Sequence, residues 1–308
     1  MDYSDLIDAE TWEFIRRTGA FYPPDAVGMS IADQRSVYDA MCREFFQGYP
    51  CGVSTEDSNL GGVPVRIYQK GAPVFNLAYF HGGGFVVGGL ESHDDICAEI
   101  CESTGARVIS VGYRLAPEHK HPAAFDDALA ATCAVAKRWP GRLVLAGDSA
   151  GANLAAAVAH ATRGELEIAG QVLIYGGFGG DSNRGSYLRH ANAPLLTRDD
   201  ILFYGEIRFE GGAPERDATA APLQDDNFAG LPPSVLISAQ CDPLADDSRD
   251  YAAAIQNAGG QALHIEEAGL VHGYLRARST VTRARKSFGR ICSAIDTLGR
   301  GKPFPPAL

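Results

Sequence analysis

From residue 75 onward the chain alternates short apolar runs with helix-like stretches, and this alternation narrows the fold more than any other feature. The runs are 75–80, 107–111, 143–146, 172–175, 235–239 and 263–266. Residues 93–104, 122–138, 150–163 and 246–258 between them read as helices, and a further helix is expected near 279–297. Buried strands separated by helices predict an α/β class, with a mostly parallel sheet and helices on both faces. One connection breaks the rhythm: about sixty residues separate 172–175 from 235–239, too many for a simple crossover, and only 198–209 reads as a helix within them. A long excursion of that kind usually carries function.

Ahead of the alternation, residues 1 to about 50 read as helical. Trp12, Phe14, Ile15, Tyr38, Met41, Phe45 and Phe46 are spaced for amphipathic faces there. Two strand-like runs follow at 52–57 and 63–69, separated by Asn59-Leu60-Gly61-Gly62. The expected organisation is a core over 51–308 and a helical cap, built from 1–50 plus a second segment inserted at about 180–225.

The net charge of −11 argues against nucleic acid or an anionic membrane surface as partner. The start, Met-Asp-Tyr-Ser-Asp-Leu-Ile-Asp, lacks the basic-then-apolar layout of a secretory signal. No apolar run reaches the ~18 residues of a membrane helix. Seven cysteines (Cys42, Cys51, Cys97, Cys101, Cys133, Cys241 and Cys292) are an odd number without a compact framework, which favours reduced thiols and a cytoplasmic location. Cys97 and Cys101 read as core residues, and no metal site is expected.

The chemistry-bearing residues sit at the ends of the expected strands. Gly147-Asp148-Ser149-Ala150-Gly151 joins a strand to a helix, where flanking glycines leave room for a serine held on a sharp turn. The helix it opens points its N-terminus at the place where an oxyanion would form. In a chain with 35 glycines the pattern alone says little, so its placement carries the weight. His81-Gly82-Gly83-Gly84 follows the run 75–80, and bare backbone N–H groups there suit an oxyanion hole. A phosphate-cradling loop is the rival reading, but the lysine and hydroxyl residue that complete one are absent. Gly82 and Gly83 are the expected donors, joined by the N–H of Ala150.

A serine nucleophile needs a base, and the base needs an orienting carboxylate. Asp242 and His272 each stand just past a strand end, the edge where open α/β sheets place their sites. The order Ser149, Asp242, His272 is that of α/β-hydrolases. Asp246 and Asp247 read instead as helix N-terminal acids, His264 and His160 as structural residues, and His81 as a loop-shaping residue.

With those residues in place the chain resembles the hormone-sensitive-lipase-like esterases (bacterial family IV), and within them the acetyl esterase group. The resemblance rests on HGGGFVVGGLESHD (81–94), YRLAPEHKHPAA (113–124), GDSAGANLAAA (147–157), CDPLADDSRDYA (241–252) and HGY (272–274). The segment 31–46 is similar to the cap of the acetyl esterases. The family usually has Phe where this chain has Tyr274. The resemblance implies an α/β-hydrolase core under a helical cap, no metal or organic cofactor, short acyl esters as small-molecule substrates, and a homodimer as one option. It also makes 113–124 a buttress for the oxyanion loop, with Arg114 and Glu118 as structural ions. Trp12, Phe21, Tyr22, Phe203, Tyr204 and Phe209 are the expected pocket lining. An amidase or a specialised esterase would use the same residues, and a ligand-binding receptor can be built on the same fold.

Overall fold

The computed structural model describes residues 1–23 and 28–305. Eight strands form one sheet among them: β1 Ser54–Leu60, β2 Val63–Gln69, β3 Asn76–Phe80, β4 Arg107–Val111, β5 Leu143–Asp148, β6 Ile168–Ile174, β7 Ser234–Cys241 and β8 Ala262–Val271. Their spatial order is β1-β2-β4-β3-β5-β6-β7-β8. β1 and β2 form an antiparallel hairpin and β2 runs antiparallel to β4, while every pairing from β4 to β8 is parallel. The mostly parallel sheet expected from the alternation is therefore present. β8 runs well past the 263–266 read from sequence, because Glu266, Glu267 and Gly269 interrupt its apolar pattern while the backbone remains paired with β7.

Helices cover both faces because successive side chains of each strand point to opposite sides. Leu77 and Tyr79 of β3 enter one cluster, with Ile96 and Ile100 of α3 (Asp94–Thr104) and Ile291 and Ile295 of α9 (Thr282–Arg300). Ala78 and Phe80 enter the other. There they meet α4 (Ala123–Arg138), the alanine-rich α5 (Ala150–Ala161) and α8 (Ala245–Asn257). Val144 and Ala146 alternate with Leu143 and Leu145 in the same way. Each face buries aliphatic area at roughly 25 cal/mol per Å².

The first cluster also takes in the N-terminal helices. α1 (Ala9–Gly19) opens on an Asp8 cap whose carboxylate accepts the Thr11 N–H at 2.9 Å, and α2 (Ile31–Phe45) opens on Ser30. Phe14 of α1 and Tyr38, Met41 and Phe45 of α2 point inward, with Phe14 and Phe45 meeting edge to face at 5.2 Å. The β6–β7 excursion holds a short α6 (Gly185–Arg189) and α7 (Arg198–Arg208), the latter started by a Thr197–Asp200 capping box. Among the described residues no helix is long and apolar enough to cross a membrane. All seven cysteines are unbridged, and Cys97 and Cys101 are buried in the core.

Candidate active site

β5 delivers the serine. Asp148 ends the strand, α5 begins at Ala150, and Ser149 between them is held at φ 54°, ψ −119°. A non-glycine residue with positive φ is strained by about 1–3 kcal/mol and persists only where its surroundings over-determine it. Here they do. The Ser149 N–H donates to the Ile174 carbonyl at 2.9 Å. A Cβ on Gly151 would lie 1.9 Å from the Phe80 carbonyl oxygen, and one on Gly147 would lie 2.4 Å from the Gly151 backbone. Both glycines of the motif are thus demanded by the close approach of β3, and the turn has one way to go.

β7 and β8 bring the other two groups to the same edge. His272 Nε2 stands 2.9 Å from Ser149 Oγ, and Nδ1 stands 2.7 Å from Asp242 Oδ2. A carboxylate accepts and cannot donate, so Nδ1 carries the proton and the Nε2 lone pair faces the serine hydroxyl. Asp242 is fully buried, and its second oxygen accepts the Leu244 N–H at 2.9 Å. Tyr175 packs against the imidazole, ring centroids 4.9 Å apart. The turn after His272 is locked from behind: Arg278 donates to Asp95 and Glu99 of α3, each at 2.6 Å. The Tyr274 hydroxyl finds Ser287 of α9 at 2.6 Å, so it is accommodated without touching His272.

The glycine loop differs from the sequence expectation by one residue. Gly82 does not face the cavity: its N–H donates to Asp148 Oδ1 at 3.0 Å, and a Cβ there would lie 2.5 Å from Asp148 Oδ2. Gly83, Gly84 and Ala150 line the cavity instead, and their N–H groups have no acceptor among the described residues. The reason is Asp148, a residue of the serine motif to which the sequence assigned no role. Its carboxylate also accepts from Tyr79 Oη (2.9 Å) and Tyr175 Oη (3.3 Å) and faces His93 Nε2 at 3.1 Å. Burial pushes the Asp148 carboxyl up, but His93 and the donor set outweigh it and hold the group well below the usual carboxylate range. One buried anion thereby ties the glycine loop to the serine turn.

The loop is braced from outside as well. His81 stacks on Tyr113 at 4.3 Å and donates from Nδ1 to the Gly82 carbonyl at 2.8 Å, and burial lowers its pKa to about 4, leaving it neutral. Tyr113 Oη donates to the His81 carbonyl at 2.7 Å. Arg114 forks onto Asp127. Glu118 accepts two bonds from Arg35 of α2, whose Nε also donates to the Val86 carbonyl at 2.8 Å.

Ser149 and His272 open into a cavity of about 680 Å³. Of the six aromatics expected to line it, Tyr22, Phe203, Tyr204 and Phe209 do, while Trp12 and Phe21 do not. Trp12 lies off the Thr11–Phe14–Thr18 stripe that α1 buries and is 39% exposed, and Phe21 packs into the core cluster. Phe14, Tyr38 and Met41 are in the wall instead. Their helical spacing was visible as an amphipathic face, but nothing local said that the face borders a cavity. Arg208 and Arg276 also line it and carried no sequence signal.

Comparison with known proteins agrees with this architecture. The model of a family described as alpha/beta hydrolase fold matches residues 77–276. Esterase LipI of Mycobacterium tuberculosis is 37% identical over 254 residues, covering 76% of this chain and 78% of the relative. An ethyl acetate hydrolase of Pseudomonas putida is 31% identical, with the same coverage of 76% and 78%. Among solved structures, a hyperthermophilic esterase from the archaeon Pyrobaculum calidifontis superposes with a TM-score of 0.89 at 28% identity, over 95% of this chain and 99% of that one. With its eight-stranded sheet and the match across most of its length, this chain belongs to the alpha/beta hydrolase fold family, as a carboxylesterase-type serine hydrolase of the hormone-sensitive-lipase-like esterases.

Proposed function

We propose that the chain hydrolyses short-chain acyl esters, acetyl to about hexanoyl, through a covalent acyl-enzyme on Ser149. The observation that carries the reading is the unbroken relay Asp242–His272–Ser149, with links of 2.7 and 2.9 Å, opening into a cavity beside three N–H groups that are unpaired among the described residues. His272 takes the Ser149 proton as Oγ adds to the ester carbonyl, and Asp242 orients and stabilises the resulting imidazolium. The carbonyl oxygen becomes an oxyanion facing the N–H groups of Gly83, Gly84 and Ala150. Collapse expels the alkoxide, which takes the proton from Nε2. Water then adds to the acyl-enzyme with His272 as base, and a second collapse releases the acid and restores Ser149.

The expected division into cap and core is part of the same proposal. α1, α2 and α7 supply cavity walls above the strand ends, as a cap assembled from 1–50 and about 180–225 would. Small substrates are supported by a relative named for ethyl acetate and by Tyr204, whose ring would lie 3.0 Å from a Cβ on Gly84. The seven unbridged cysteines favour a reducing, cytoplasmic setting. The test is hydrolysis of p-nitrophenyl acetate, butyrate, octanoate and palmitate by the wild type and Ser149→Ala. Activity highest on acetate or butyrate and lost in the variant is expected. A maximum on palmitate, or full activity without Ser149, overturns the reading.

A further inference from the structure

Two arginines line the cavity, and neither has a carboxylate within ion-pair distance among the described residues. Arg208 is otherwise satisfied: it donates to the Ala220 carbonyl at 3.2 Å and lies 3.5 Å over the Phe85 ring. Arg276 is not. It is only 8% exposed, its Nε is buried without a hydrogen-bond partner, and its Nη2 donates to the Tyr38 hydroxyl. Its Nη1 stands 3.4 Å from where a Cβ on Gly273 would lie, one residue from His272. The neutral polar side chains around it, Tyr38, Cys42, Tyr175 and Tyr22, are kept protonated by burial. Asp148 acts on it only through space, its oxygens already holding Tyr79, Gly82, His93 and Tyr175.

The same turn shows how this fold treats a purely structural cation. Arg278, two residues on and just as buried, is met by two carboxylates. An always-charged guanidinium with no carboxylate in contact at a cavity wall, met only through space by Asp148, gains from a ligand that brings a contacting negative charge. The rival role for Arg276 is a latch: its guanidinium lies 4.9 Å over the Tyr38 ring and so joins the turn after His272 to α2. A latch accounts for Nη2, but it leaves Nε unpartnered and the charge met only through space by Asp148.

We propose that Arg276 recognises an anionic group of the substrate, so that the preferred esters carry a carboxylate as well as the scissile bond. The inference rests on the ester-hydrolase reading above and names the substrate class of that same site. The carboxylate sits on either the acyl or the alcohol portion, and the two sources separate experimentally.

Monoethyl succinate, glutarate and adipate, compared with ethyl butyrate, pentanoate and hexanoate, probe the acyl side. 4-Acetoxybutanoate against butyl acetate probes the alcohol side. In one arm the charged ester should exceed its neutral match in kcat/KM by about tenfold or more, the factor one charge-assisted hydrogen bond supplies. Arg276→Met should collapse that ratio, mostly through KM, and Arg276→Lys should retain part of it. If the variants do not fold, free glutarate competing with neutral-ester hydrolysis by the wild type, where glutaramide does not, gives the same answer. Neutral esters turned over without a charged preference in either arm, or a ratio untouched by Arg276→Met, overturns this inference alone. No turnover of any ester overturns the ester-hydrolase reading with it.

Discussion

Replacing Asp148 tests whether the glycine loop is held by the serine turn. In Asp148→Asn the side chain keeps its shape and buries in the same place, but one oxygen becomes an NH2 group. With the carbonyl at the Oδ1 position, the bonds from Gly82 N–H (3.0 Å) and Tyr79 Oη (2.9 Å) survive. The amide nitrogen then faces Tyr175, whose hydroxyl can turn to accept, and His93, which loses its anionic partner. Bonds to a charged group contribute about 1.5–3 kcal/mol each, so the change should cost roughly 2–4 kcal/mol of stability while leaving the loop tethered. Asp148→Ala removes the tether as well. Gly83 and Gly84 then lose their register with Ala150, and losing an oxyanion donor typically lowers turnover by about 10²–10³. Urea unfolding and p-nitrophenyl acetate kinetics below the melting transition measure both effects. Turnover should fall less than about tenfold in Asn and at least about a hundredfold in Ala, with KM changed little in either. Wild-type turnover in folded Asp148→Ala would refute the tether. The pH dependence has a definite sign: the folded-state pKa lies below the unfolded value, so this group's contribution is complete above the ordinary carboxylate range and is lost as pH falls beneath it. The acid limb of the stability curve should therefore be shallower in Asp148→Asn.

Two other substitutions discriminate roles that the structure separates. Tyr274→Phe leaves the buried Ser287 hydroxyl unpaired and should lower unfolding stability by about 1 kcal/mol, with kcat unchanged; a kcat loss beyond twofold would implicate the hydroxyl in the site. Tyr204→Ala opens the wall beside Gly84 and should move the acyl-length preference towards longer chains, whereas Trp12→Ala, off the cavity, should leave the profile in place. A shift in Trp12→Ala alone would reverse the assignment of that wall.

What the sequence made legible follows from where constraints are local. The central parallel strands β3 to β7 were readable because each carries a buried apolar run, and Ser149, Asp242 and His272 because each stands at a strand end in the chain order of α/β-hydrolases. The second half of β8 was not legible because it carries Glu267, a charged residue whose burial depends on Arg290 of α9. The Gly82 assignment failed for a related reason: which glycine faces the cavity depends on Asp148 sixty-six positions away. Trp12 was expected in the pocket as an aromatic of the cap, yet the face of α1 that turns inward is set by Thr11, Phe14 and Thr18. Arg276 carried no signal at all, since a single arginine in a turn becomes unusual only once it proves buried with no carboxylate in contact and Nε unpartnered.

The most direct test of the central claim is covalent labelling with an organophosphonate, read by intact mass and by mapping of the modified peptide. One phosphonate per chain is expected on Ser149, absent in Ser149→Ala and much slower to form in His272→Ala. No adduct on the folded wild type, or an adduct on another residue, would mean that the Asp242–His272–Ser149 relay does not activate a nucleophile.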